Sequence, residues 1–125
     1  MKLEVGMYVR TKYNGIGKLI EYINDPTHYF YKCYKLDRDC MNCEEYITEK
    51  DVIGKPSFNI IDLIKPKDII LGRDGKIYQC WKIYKDYVFT YSKNKQGQTI
   101  TLVDYQIDKI VTKEQFEQMS YKVGD

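Results

Sequence analysis

The chain has 125 residues, with 20 Lys+Arg, 18 Asp+Glu and one His, for a formal net charge of +2. That length suits one compact domain or two very small ones, and the charge balance excludes both a uniformly basic nucleic-acid glove and an acidic DNA mimic. The 43% hydrophobic and 14% aromatic content suffices for a core. No apolar run approaches the roughly 20 residues of a spanning helix, and Met1 to Gly6 has no signal-peptide pattern. The expectation is therefore a cytoplasmic protein with no membrane partner.

Alanine, the best helix former, is absent, whereas tyrosine alone numbers 13. A vocabulary of Ile, Val, Thr and aromatics fits pleated, half-buried surfaces and predicts a mostly β protein. Met7 to Thr11 reads as a first strand, followed by Asn14-Gly15, a tight-turn dipeptide. Ile16 to Ile23 is closed by Asn24-Asp25-Pro26. His28 to Leu36 is dense in aromatics, Cys43 to Ile47 is short, and Glu49 to Ile53 reads as a turn entering a last strand. Gly54-Lys55-Pro56-Ser57 is the best linker candidate. Asn59 to Ile64 fits either a helical turn or a strand. Asp68 to Leu71 is strand-like, and Asp74-Gly75 is again a turn. Lys76 to Tyr84 alternates with Ile77, Trp81 and Ile83 on one face and Gln79 as a polar interruption. Tyr87 to Tyr91, Thr99 to Val103 and Tyr105 to Val111 complete the strands.

An offset of 60 lays Val9 on Ile69, Asn14-Gly15 on Asp74-Gly75 and Ile23 on Ile83, which suggests duplicated architecture. About five short strands per half suit two small SH3-like or OB-like β-barrels packed together, residues 1–56 and 57–125. One short C-terminal helix is expected over 113–119. Thr112 and Gln115 form a capping box, Val111 and Phe116 a hydrophobic staple, and Phe116 and Met119 share a face. So short a helix must dock, and a plug over an open barrel end is expected. Tyr121-Lys122-Val123 would leave it as a short strand.

The segments Ser57-Phe58-Asn59-Ile60-Ile61-Asp62-Leu63-Ile64-Lys65-Pro66-Lys67-Asp68 and Ile110-Val111-Thr112-Lys113-Glu114-Gln115-Phe116-Glu117 resemble a family of small proteins encoded by phages and prophages of Firmicutes. The opening Val5-Gly6-Met7-Tyr8-Val9-Arg10-Thr11-Lys12 is similar to that family's start. The resemblance covers most of the chain outside roughly 24 to 45. It implies a phage-derived accessory protein made of small β-barrels. Proteins of that size and setting often bind and block a component of bacterial defence. The signature is structural and carries over no catalytic residue.

The residues offer little to catalysis. His28 is the only histidine, so any His-dependent triad rests on it alone. The serines lack a nucleophile-elbow setting, and no phosphate-binding glycine loop is present. The expectation is a protein that is not an enzyme, with no catalytic residue, no metal and no cofactor. Cys40 and Cys43 form a CxxC, and with Cys33 and His28 a three-Cys, one-His zinc site can be written. The odd spacing of His28 and Cys33 sets them on opposite faces of a strand. Free thiols acting as small hydrophobes are the simpler account, and zinc stays open.

Charge is segregated: residues 37–51 sum to −4 and residues 65–95 to +5. Lys82, Lys85, Lys93 and Lys95 interleave with Tyr84, Tyr87, Phe89 and Tyr91. That pattern fits lysines beside aromatic platforms that hold single strands or nucleotides. It fits equally a hairpin with aromatics turned to the core and lysines blunting its edge. The leading functional expectation is a non-catalytic, anti-CRISPR-like inhibitor of a host defence protein in the bacterial cytoplasm, acting by protein–protein contact. Its contact residues are Tyr29, Tyr31, Tyr84, Tyr87 and Tyr91, with Lys82 and Lys85 as electrostatic partners. The alternatives are a small-barrel binder of nucleic acid or nucleotide through Lys82 to Tyr91, and a structural or regulatory phage module.

Overall fold

The computed structural model describes residues 3–11, 15–24, 29–36, 44–92 and 95–117; the side chains at 29, 30, 92 and 95–98 lie outside that set. The chain is mostly β, in two five-stranded antiparallel sheets. The first contains β1 (Tyr8–Thr11), β2 (Gly15–Asn24), β3 (Tyr29–Lys35), β4 (Glu44–Ile47) and β5 (Val52–Ser57), in the order β4-β3-β2-β1-β5. The second contains β6 (Ile69–Gly72), β7 (Ile77–Ile83), β8 (Tyr87–Ser92), β9 (Lys95–Val103) and β10 (Ile107–Val111), in the order β10-β6-β7-β8-β9.

The two sheets are wired alike. Each is a four-strand meander whose fifth strand returns beside the first, after a single 3-10 turn at Glu49–Asp51 or Asp104–Gln106. Both turns are closed by a side chain three residues on. Asp51 accepts from the Thr48 amide at 2.8 Å, and Gln106 accepts from the Val103 amide at 3.0 Å. Bulges fall at matching places, between Leu19 and Glu21 and between Cys80 and Lys82. The approach to the first strand is matched as well. The Met7, Gly6 and Leu19 amides donate to the Glu4, Leu19 and Met7 carbonyls. The Asp68, Lys67 and Cys80 amides donate to the Lys65, Cys80 and Asp68 carbonyls. In this pairing Val9 matches Ile70, one residue beyond the offset suggested by the sequence, and both are fully buried.

Burial follows the two-residue period of a strand. Val9, Leu19, Cys33, Ile47 and Val52 fill the first interior with Leu3. Ile70, Tyr78, Cys80, Val88, Leu102, Ile107 and Ile110 fill the second. Ile16 of β2 belongs to that second cluster, together with Ile61, Leu63 and Ile64 from the connection, so the halves share an interior. The Leu36 amide donates to Ile16 at 3.0 Å and the Ile110 amide to Leu36 at 2.9 Å, which ties the end of β3 to β10.

Three expectations change. Gly54 to Ser57 is not a linker but the end of β5, with Ser57 paired to Tyr8. The register shift on β1 and the positive φ of Gly54 (73°) let this edge strand bend, and an edge tolerates Pro56. The connection is the stretch that follows, where Ile60–Leu63 form a 3-10 turn capped by Asn59. On β7 the inward residues are Tyr78 and Cys80, whereas Ile77 and Trp81 are exposed. The bulge at Trp81 adds one residue, shifts the phase and returns Ile83 to the core side.

A helix, α1, occupies residues 113–117 of the described set; residues 118 and 119 and the expected strand at 121–123 lie outside it. Its capping box is formed, with the Thr112 amide donating to Gln115 Oε1 at 2.9 Å and the Gln115 amide donating to Thr112 Oγ1 at 3.3 Å. It docks, but at the junction of the two sheets and not as a plug over one end. The Lys113 amide donates to Asp68 Oδ1 at 2.9 Å, and Gln115 lies so close to Gly15 that a Cβ there would collide with it.

Arg10 on β1 is the rivet of this junction. It is 1% exposed, and all five of its N–H groups are used. Nη1 donates to Asp68 Oδ2 at 2.6 Å and to the Leu63 carbonyl at 2.9 Å. Nη2 donates to Asp68 Oδ1 at 2.7 Å and Glu114 Oε2 at 2.7 Å, and Nε donates to Glu114 Oε1 at 2.8 Å. Burial alone would lower the Arg10 pKa, but the bonds to Asp68 and Glu114 outweigh it and hold the guanidinium charged. The Arg10 hydrogen bond also lowers the Glu114 pKa, against partial burial. Glu114 therefore adds stability above its unfolded pKa, and loses it as pH falls through the lower folded value. Arg10→Ala strands Asp68 in the interior and should cost about 3–5 kcal/mol in urea unfolding at pH 7. Glu114→Gln should cost less at pH 7 and flatten the acid limb of the stability curve; an unchanged acid limb would refute the linkage.

Candidate functional site

The alternation that sends Tyr78, Cys80, Val88 and Thr90 inward sends the intervening residues of β7 and β8 outward. The outer face so formed carries a continuous row of rings. Trp81 and Tyr91 stack at 5.6 Å between centroids and 17° between planes. Phe89 lies 5.7 Å from Trp81, 4.8 Å from Tyr84 in an edge-on arrangement and 5.6 Å from Tyr87. Tyr84 stacks on Tyr87 at 4.9 Å across the β7–β8 turn. Lys82 Nζ sits 5.2 Å from the Tyr84 centroid, within cation–π range. Trp81 is 37% and Tyr91 42% exposed, so two large rings stay open to solvent at one end of the row.

The bulge is what makes the row possible. It adds Lys82 to the outer side beside Trp81, opposite Phe89, and turns Tyr84 outward to meet the same ring. Of the residues singled out in the sequence, Lys82, Tyr84, Tyr87 and Tyr91 are brought together here. Lys85 is exposed in the adjoining turn, where its carbonyl accepts from Asn59 Nδ2 at 3.2 Å. Tyr31 is elsewhere: it packs on the core of the first sheet, meets Tyr22 in a tilted ring contact at 5.0 Å and donates its hydroxyl to the Leu3 carbonyl at 2.9 Å. That hydroxyl is raised above its ordinary pKa by burial first, with nearby negative charge adding. Tyr31 thus ties down the N-terminal approach, and the side chain of Tyr29 lies outside the described residues. The sequence reading passed over Trp81 and Phe89 as contact residues. The signal was Gln79, a polar residue on the Ile77–Trp81 face, which marks that face as the wet one.

The same positions in the first sheet carry different chemistry. Trp81, Lys82 and Phe89 correspond to Ile20, Glu21 and Lys32, and Tyr91 to Tyr34. There Lys32 pairs with Glu44 at 2.9 Å, beside the exposed Ile20, Tyr34 and Tyr46. The scaffold therefore does not itself demand an aromatic row.

Cys33 and Cys80 are free, buried thiols facing the two cores, each pushed up to about 12 mainly by burial. A thiol so placed is a small hydrophobe and a poor source of thiolate. His28, Cys40 and Cys43 lie outside the described residues, among which no cluster of three or more metal-ligating side chains occurs. No protein-family model matches the chain, and no curated protein or solved structure shows significant similarity to it. In the native protein, alkylation at pH 8 mapped by mass spectrometry should leave Cys33 and Cys80 unmodified until denaturant is added. Labelling of either at the rate of a small-molecule thiol would contradict this burial.

Proposed function

We propose that the protein is a non-catalytic binding protein built from two SH3-like small barrels, and that it acts as a phage-borne, anti-CRISPR-like inhibitor by laying the outer face of β7 and β8 on a bacterial defence protein. The observation that carries this reading is the Trp81–Tyr91–Phe89–Tyr84–Tyr87 row. It gathers five large rings on the outer face of β7 and β8, where the first sheet has Ile20, Glu21 and Lys32 at the positions of Trp81, Lys82 and Phe89 and pairs Lys32 with Glu44. Rigid aromatic rings give large contact area at little entropy cost, and Trp and Tyr dominate interface hot spots. The strand order and the 3-10 turn before each last strand support the SH3-like assignment. The phage setting and the class of partner rest on the resemblance of the 57–68 and 110–117 segments.

A second reading, single-stranded nucleic acid on the same face, has one observation in its favour: Lys82 lies over Tyr84, with Lys85 exposed beside it. The two readings separate by salt and by phenotype. Expressed in a bacterial host with an active CRISPR system, the protein should restore plating of a targeted phage at least tenfold. Trp81→Ala with Tyr91→Ala should abolish this, while Lys32→Ala on the other sheet leaves it intact. The defence protein should stay bound when salt is raised from 50 to 200 mM, a change that weakens phosphate-dominated binding by orders of magnitude. A folded double variant that protects phage as well as the parent would overturn the assignment.

A further inference from the structure

A second feature lies beside the aromatic row and belongs to neither core. Lys67, Ile69, Gln79, Lys113, Phe116 and Glu117 line a pocket of about 270 Å³ between β6, β7 and α1. That volume is just under the roughly 300–1,000 Å³ of small-molecule sites, so a ligand here would be held in part at the open surface. Gln79 joins the pocket to the row, since it pairs with Ile69 on one side and with Tyr91 on the other.

The turn that delivers Lys67 has a telling oddity. Lys65-Pro66-Lys67-Asp68 is closed by the Asp68 amide donating to Lys65 at 3.1 Å, with proline at its second position. Its third position requires positive φ, where glycine is the favoured residue. Lys67 has a φ of 80° and is the only non-glycine residue with positive φ among those described. The matching turn in the first half, with the same three backbone hydrogen bonds, has Gly6 there at a φ of 96°. The duplicated frame thus shows what the backbone prefers, and the second copy sets a lysine in its place, at the mouth of a pocket.

The lining matches one ligand chemistry. Two ammonium groups, Lys67 and Lys113, make no ion pair with any described residue and suit a phosphate as point charges. Glu117 accepts only, which suits hydroxyl donors, and the Gln79 amide both donates and accepts. Phe116, 40% exposed, and Ile69 are apolar walls, and the Tyr91 ring stands one strand away. A bare anion would not use the carboxylate and the rings. We propose that this pocket is a nucleotide site, with the phosphate between Lys67 and Lys113, sugar hydroxyls toward Glu117, and the base against Phe116 or on toward Tyr91. This goes beyond the inhibitor reading and does not depend on it.

Calorimetric titration of the full chain with adenosine monophosphate, inorganic phosphate and a twelve-residue oligothymidylate tests this. The monophosphate should bind at least tenfold more tightly than phosphate. Lys67→Gly should weaken it at least tenfold while the melting temperature equals or exceeds that of the parent, since the turn is relieved. Lys113→Met should weaken it likewise. No heat from the monophosphate at millimolar concentration, phosphate binding as tightly as the monophosphate, or binding of the oligonucleotide alone would each overturn the nucleotide assignment. So would Lys67→Gly binding as well as the parent.

Discussion

One buried guanidinium holds three parts of this molecule in register. Arg10 comes from the first strand of the first sheet, Asp68 from the turn that starts the second, and Glu114 from the terminal helix. Asp68 is fully buried and its carboxylate accepts four times, twice from Arg10 and once each from the Lys65 and Lys113 amides. A buried pair of this kind contributes little net stability against a well-packed apolar substitute, because desolvation offsets most of the attraction. Its contribution is positional. The five N–H groups of a planar fork admit one arrangement of two carboxylates and a carbonyl, so the turn and the helix cannot slide independently. Lys67 and Lys113 reach the same pocket because Asp68 anchors the backbone at both places.

The rest of the frame is specified much more loosely. Structurally matched core positions are occupied by different residues: Val9 and Ile70, Leu19 and Cys80, Cys33 and Thr90, Ile47 and Leu102, Val52 and Ile107. Each pair is buried, and the one polar member, Thr90, donates its hydroxyl to the Ile100 carbonyl at 2.9 Å. Approximate volume and the right alternation suffice for such interiors. Two sequences can therefore share a wiring and almost no identities, which is why the repeat is faint in sequence and plain in the hydrogen bonds.

That contrast explains what could be read in advance. Strand content, the matched halves and the Thr112–Gln115 cap were legible because each depends on local composition or fixed spacing. The phase of β7 beyond Trp81 was not, because one bulge residue inverts it there and no local signal separates a bulge from a regular strand. The linker was misplaced because Gly54 and Pro56 punctuate a bent edge strand as readily as a loop. Arg10 carried no sign of its role: its partners are 58 and 104 residues away, and an arginine in an alternating strand ordinarily faces water. The aromatic row was half legible. The tyrosines of β8 stood out by number and Gln79 marks the face that Trp81 shares, whereas Lys82 and Tyr84 reach that face only through the bulge.

The two copies also act as a control on each other. Where both need the same thing, they agree: a meander, a bulge directly after the inward Leu19 or Cys80, a 3-10 turn before the last strand, a positive-φ turn ahead of the first. The two differ in the cores and on the surface alike, and four of the surface differences lie together. Trp81 replaces Ile20, Phe89 replaces Lys32, Lys82 replaces Glu21 and Lys67 replaces Gly6, and all four sit on one continuous side of the second sheet. The first copy forms the same turn with glycine and the same face with Ile20, Glu21 and Lys32, the last paired to Glu44. At Lys67 the departure carries a backbone cost of about 1–2 kcal/mol for an L-residue in the left-handed region. The cost is accepted in one copy and avoided in the other, at the edge of the surface that carries the aromatic row, and it is the strained turn, not the relaxed one, that brings a side chain to the pocket.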